Sequence, residues 1–167
     1  LMGALALAKH GYVRATTDID VLMTADGLEK FITTCVGLGY VRAFSGAKKT
    51  FRATETGVRV EVLITGEYPG DGKPKPVSFP DPAVAGVSLE GVRVVNIEEL
   101  VQLKLASGMT AAHRRKDLSD VQDLIRSVKL GLEFGERVDA SVRDLYAQIW
   151  REAQAHDVHE QGGETSP

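Results

Sequence analysis

The chain has a single cysteine, no long apolar run and no surplus of basic charge, and each lack removes a class of protein. Cys35 alone excludes an internal disulfide framework and a cysteine-cluster zinc site. It sits in the stripe Leu28, Phe31, Ile32, Cys35, Val36, whose helical spacing predicts a small buried core residue rather than a nucleophile. No stretch reaches the ~18 apolar residues of a membrane span, so no membrane partner is expected. Residues 1–8 are apolar but lack a basic flank and a small-residue cleavage site, which argues against a signal peptide. A chain that opens on Leu1 in mid-run is expected to begin inside its first structural element, with earlier residues missing. A cytoplasmic, reducing setting is the expectation. The formal net charge of −3 offers no bulk attraction for nucleic acid, although residues 113–116 form a local basic run.

The chain's 167 residues, 43% hydrophobic and 26% charged, suffice for one globular domain with a core, or for a core domain with a helical appendage. Hydrophobic periodicity and turn signals predict a strand end at 1–2 and a helix over 3–9 closed by Gly11. A strand over 19–23 and a helix over 26–38, stopped by Gly37 and Gly39, follow. Strands come next near 40–44, 49–54 and 58–64; in the last, Val58, Val60, Val62 and Ile64 alternate with Arg59, Glu61 and Leu63. Residues 65–86 are rich in proline and glycine and read as a loop. A hairpin over 87–95 turns at Glu90-Gly91. Asn96, with Glu99 three residues on, opens a helix in a capping-box arrangement, and Gly108 is expected to end it. Helices over 117–129 and 141–155 follow, the second carrying Tyr146 and Trp150 as packing residues. The expected fold is therefore α+β. A mixed β-sheet flanked by helices spans 1–96, a small helical region spans 97–158, and a disordered tail spans 159–167.

Three acids carry the chemistry. Asp18 and Asp20 lie at i and i+2 within "TTDIDVLM", so on a strand both project from one face. Glu61 lies between Val60 and Val62 in another apolar strand. If the two strands are neighbours, three carboxylates meet, and like charges that close do not stay ionised together without a cation. A hard divalent ion, Mg²⁺ or Mn²⁺, suits such an oxygen set. Mg²⁺ held by carboxylates plus substrate phosphates points to phosphoryl chemistry. Gly3, opening a helix after an apolar strand end, would admit an anion to the backbone. Each piece also has a plain reading, as a D-x-D without a ligand, a solvated strand glutamate, or a common strand–glycine–helix joint. His10 and His113 lack ligand spacing and read as surface residues.

Met2-Gly3-Ala4, thirteen residues, Asp18-Ile19-Asp20-Val21 and later Val60-Glu61-Val62 together resemble the signature of the DNA polymerase β-like nucleotidyltransferase superfamily. The stretch "GALALAKHGYVRATTDIDVLM" resembles small bacterial nucleotidyltransferases, particularly the AbiEii/AbiGii and MenA toxin-like group. A second likeness lies in "ELVQLKLASGMTAAHRRKDLSDVQDLI", with Lys104, the basic run Arg114-Arg115-Lys116, and the pair Asp117 and Asp120. The resemblance covers residues 1–125. Ala4 stands where the family has Gly or Ser, and Glu61 where Asp is commoner.

The resemblance implies Mg²⁺- or Mn²⁺-dependent transfer of a nucleoside monophosphate from an NTP to a hydroxyl on tRNA, protein or a small molecule. Asp18 and Asp20 would hold the metal, and Glu61 would complete the site or act as base. Gly3 and Ala4 would admit the triphosphate. Lys104, Arg14 and Thr17 would contact the nucleotide, and Asp117 or Asp120 would orient Lys104 or the base and ribose. The toxin-like members of the group bring in an antitoxin as a candidate partner. Two other readings stay open: a non-catalytic nucleotide- or protein-binding module of the same fold, and a plain α+β domain with solvated acids. Lys104 could equally be a solvated helix residue, Asp117 an acid favoured by a helix dipole, and Arg114-Arg115-Lys116 a solvated charge run.

Overall fold

The computed structural model describes residues 1–110 and 114–161, with side chains to residue 155. The fold is α+β, with a mixed four-stranded sheet, a separate two-stranded hairpin and helices on both sides of them in the chain. In order, α1 is Gly3–Lys9, β1 Asp18–Met23, α2 Ala25–Cys35, β2 Tyr40–Arg42, β3 Thr50–Ala53 and β4 Arg59–Ile64. Then come α3 Pro82–Ala85, the hairpin β5 Gly86–Leu89 and β6 Val92–Val95, α4 Ile97–Thr110 and α5 Arg115–Val128. Two 3₁₀ turns, Leu132–Arg137 and Ala140–Val142, lead into α6 Arg143–Gln161. Among the described residues no helix is long and apolar enough to cross a membrane.

Strand order in the larger sheet is β1-β4-β3-β2. β1 and β4 are parallel, with Asp20 opposite Glu61 and Leu22 opposite Leu63. The outer pairs are antiparallel. This register gives the sheet two distinct faces, because successive side chains alternate. One face carries Val60, Val62 and Phe51, all buried. Phe31 of α2 meets the Phe51 ring edge-on at 5.0 Å, so α2 covers this side. The other face begins with the acids and ends with Leu22 and Leu63, which join the main core. That core unites Met2, Ala6 and Leu7 with α4, α5 and α6, so packing runs without a break across residue 96. Tyr146 and Trp150 are part of it, the first donating from its hydroxyl to Gly131 O at 2.8 Å and the second from Nε1 to Leu130 O at 2.9 Å.

Residues 1–2, expected as a strand end, belong to no strand, although Leu1 O accepts from Val95 N and Met2 N donates to Asp20 O. Asn96 caps α4 by accepting from Glu99 N at 2.8 Å. Other expectations need correction. Gly108 does not end α4, which continues to Thr110. A Cβ there would lie 2.3 Å from Leu118 Cδ2, so this glycine lets α5 pack closely against α4. The proline-rich stretch contains the one-turn helix α3, capped by Asp81, which accepts from Ala83 N at 2.7 Å. α2 stops at Cys35, short of the glycines, and Cys35 is half-buried rather than a core residue because α2 buries no side chain fully. His10 is not a free surface residue: its Nε2 lies 2.7 Å from Val95 O. The tail expected from 159 begins inside α6, while His113 and residues 162–167 lie outside the described residues.

The α2-covered face gives a direct test of the fold. Phe51 is fully buried, and replacing it with alanine is expected to cost about 3–5 kcal/mol. Thermal melting followed by circular dichroism is expected to show a drop of roughly 10 °C.

Candidate active site

The parallel register of β1 and β4 sets the geometry. Asp18 and Asp20 share a face, and Asp20 sits beside Glu61 on the next strand. One carboxylate oxygen from each of the three lies within 4.8 Å of the others, close enough for a single ion to touch all of them. Asp20 is the most affected: burial first, and then the charges of Asp18 and Glu61, push its pKa from 3.8 up to about 6. A carboxylate set held together at this cost is what a hard divalent ion would neutralise. The donor chemistry therefore fits Mg²⁺ or Mn²⁺.

Gly3 is part of this arrangement for a steric reason. Its φ is +57°, and a Cβ on it would lie 1.9 Å from Asp20 Oδ2. The Asp20 carboxylate occupies the space a side chain would take. Thr16, which sequence reasoning passed over, donates from Oγ1 to Asp18 Oδ1 at 2.7 Å and fixes that carboxylate. Two threonines in front of a D-x-D were the available signal, and the expectation fell on Thr17, which is exposed and lines the same cleft without a bond to either acid.

The acids form one wall of a cleft of about 630 Å³, within the size range of small-molecule sites. The helices supply further lining residues. Lys104 of α4, only 7% exposed, donates to Asp117 Oδ1 at 2.9 Å and to Asp120 Oδ2 at 2.7 Å. It is therefore not a solvated helix residue. Asp120 also holds Arg14, whose NH2 donates to Oδ2 at 3.0 Å while its Nε stands 2.7 Å from Oδ1. Ser107, also absent from the expected site, donates to Asp117 Oδ2 at 2.6 Å. Asp117 lies in the first turn of α5, where the helix dipole favours it, and it orients Lys104 as well.

Ten residues were expected at the site, and their placement divides them. Asp18, Asp20, Glu61, Gly3, Arg14, Thr17, Lys104 and Asp117 all line the cleft. Ala4 does not: it is 4% exposed and belongs to the interior. Asp120, 2% exposed, is not among the lining residues and instead holds Lys104 and Arg14. Arg114 and Lys116, exposed at the start of α5, face the cleft and add positive charge there. Pro69 and Gly70 of the proline-rich loop close one side, where Lys75 ties the loop to α4 by donating to Pro69 O at 2.6 Å and to Thr110 Oγ1 at 3.0 Å. Compared with protein-family models and with curated proteins, the chain matches none.

The raised pKa of Asp20 has a defined consequence. A carboxyl whose folded pKa lies above its unfolded value favours the fold while protonated. That contribution is complete below about pH 4 and is lost as pH rises through about 6. Asp20→Asn mimics the protonated form. Without metal, its stability is expected to match wild type near pH 3.5 and to exceed it above pH 6.5 by on the order of 2 kcal/mol, read by denaturant or thermal unfolding. Adding 5–10 mM MgCl₂ at neutral pH (roughly the range that saturates carboxylate sites) is expected to raise the wild-type melting temperature and leave Asp20→Asn nearly unchanged. Parallel curves for the two proteins across pH would refute the crowding.

Proposed function

We propose that this chain is a Mg²⁺- or Mn²⁺-dependent nucleotidyltransferase that moves a nucleoside monophosphate from an NTP to a hydroxyl acceptor. The observation that carries the reading is the convergence of Asp18, Asp20 and Glu61 within 4.8 Å in a cleft that Lys104, Arg14, Arg114 and Lys116 also line. Carboxylates and cations lining one cleft suit a metal-bound triphosphate, in which the carboxylates would hold the ion and the cations would meet the phosphates.

Asp18 and Asp20 would hold the ion, and Glu61 would complete its oxygen set or take the acceptor's proton. When bound, the ion supplies charge neutralisation across the phosphates and a fixed orientation for them. Lys104, held by Asp117 and Asp120, presents an ammonium to the phosphates from a set position. In the transfer, the acceptor oxygen forms a bond to the α-phosphorus while the bond to the bridging oxygen breaks, and pyrophosphate leaves. The acceptor's hydroxyl proton goes to the carboxylate. Gly3, without a Cβ, leaves the space that the Asp20 carboxylate fills. The tRNA, protein and small-molecule acceptors of similar enzymes, and an antitoxin partner, belong to this reading as its candidates.

Incubation with each of the four α-³²P-labelled NTPs, Mg²⁺ and a bacterial extract tests the proposal. Wild type is expected to transfer label to one extract fraction (RNA, protein or metabolite). The double variant Asp18→Ala, Asp20→Ala is expected to lose this completely, and Lys104→Ala to lose about 10²-fold or more, the scale for removing a charge-stabilising group. NTP binding without transfer in wild type would favour the non-catalytic module. Transfer that persists in the double variant would overturn the metal site.

A further inference from the structure

The strand register carries the acidic face outward across the sheet. Asp18, Arg59, Arg52 and Val41 stand in one row over β1, β4, β3 and β2, beside the row Asp20, Glu61, Thr50. Residues in register project to the same side of a sheet, so both arginines share the face of the acids. Both are exposed, and neither lines the cleft that holds Lys104 and Arg14. Arg59 reaches Glu61 Oε2 at 3.4 Å, and Arg52 donates to Gly57 O at 2.9 Å. Like charges directly opposite on neighbouring strands destabilise a sheet. Among the described residues Arg52 forms no ion pair with a carboxylate that would offset this.

We propose that Arg52 and Arg59 form the acceptor's phosphate site: the hydroxyl that receives the nucleotide belongs to a phosphate-bearing molecule. This rests on the nucleotidyltransferase reading and names the chemistry of its second substrate. The cleft cations face the donor phosphates. In-line displacement puts the attacking and leaving oxygens on opposite sides of the phosphorus, so an acceptor approaches along the open sheet, over Glu61. Two planar guanidinium forks in register suit a phosphate, which accepts bidentate hydrogen bonds. A cationic polyol or an uncharged protein hydroxyl would leave Arg52 without an anionic partner. The phosphate can be that of a polynucleotide strand or of a small phosphomonoester.

The two sources are separated by two probes, a fluorescein-labelled 12-nucleotide single-stranded RNA and ribose 5-phosphate. Their binding is read by anisotropy and by calorimetry, with Mg²⁺·ATP binding measured on the same samples. One or both probes are expected to bind wild type and to bind Arg52→Ala about tenfold more weakly, and the double variant with Arg59→Ala more weakly still. For the RNA, the slope of log affinity against log salt is expected to fall by about 0.7 for each arginine lost. Mg²⁺·ATP binding by Arg52→Ala is expected to equal wild type, since Arg52 touches no acid of the triad. Arg52→Gln serves if the alanine variant melts early. Failure of both probes to bind, or equal binding by wild type and the double variant, would overturn the acceptor site. Failure of wild type to bind Mg²⁺·ATP would instead sink the nucleotidyltransferase reading.

Discussion

The parallel pairing of β1 with β4 is the constraint on which the rest of the molecule depends. It sets Asp20 beside Glu61, with Asp18 two residues away on the same face. Three carboxylates then compete for one partly buried region, and Asp20 is pushed up toward neutrality. A group held in an unfavourable state persists only where its surroundings over-determine it. Here Gly3 vacates the volume that the Asp20 carboxylate fills, Met2 N donates to the Asp20 carbonyl, and Thr16 fixes Asp18. Each of these is a local arrangement that a strand built only to pack would not require.

What over-determines the strands is hydrophobic, and it acts on both faces. Phe51, Val60 and Val62 are buried on the α2 side. On the acidic side the same strands turn apolar within one alternation, at Leu22 and Leu63, and enter the main core. A slip of one residue in either strand would turn the acids into the core and the apolar side chains into the cleft. Core packing thus sets the register, and the register sets the distances among the acids.

Much of this was legible in the sequence, for physical reasons. The period-2 pattern of 58–64 and the D-x-D spacing are local, so the face assignments followed from alternation alone. The capping asparagine before α4 and the packing of Tyr146 and Trp150 were equally local. Gly108 reads as a stop in the sequence because glycine is unfavourable inside a helix, and only the close approach of Leu118 from another helix explains its place within α4. Ala4 was assigned by its place in a motif, whereas the turn of α1 points it inward. Thr16 and Ser107 were passed over because a hydroxyl gains its role from the carboxylate it meets, and Ser107 meets Asp117 ten residues away on another helix.

Asp20 and Asp120 show why residue type alone could not separate a site from its support. Both are aspartates on regular elements, and both are largely withdrawn from water. Asp120 is the more buried of the two, yet it is surrounded by Arg14 and Lys104, so its charge is compensated in the folded chain itself. Asp20 is surrounded by Asp18 and Glu61, and the nearest cations lower its pKa less than burial and those acids raise it. A buried charge needs a partner. Asp120 finds its partners 106 and 16 residues away in the chain, a pairing that no local pattern encodes. Among the described residues Asp20 finds none of comparable strength, and an ion from outside is the chemistry that would complete it.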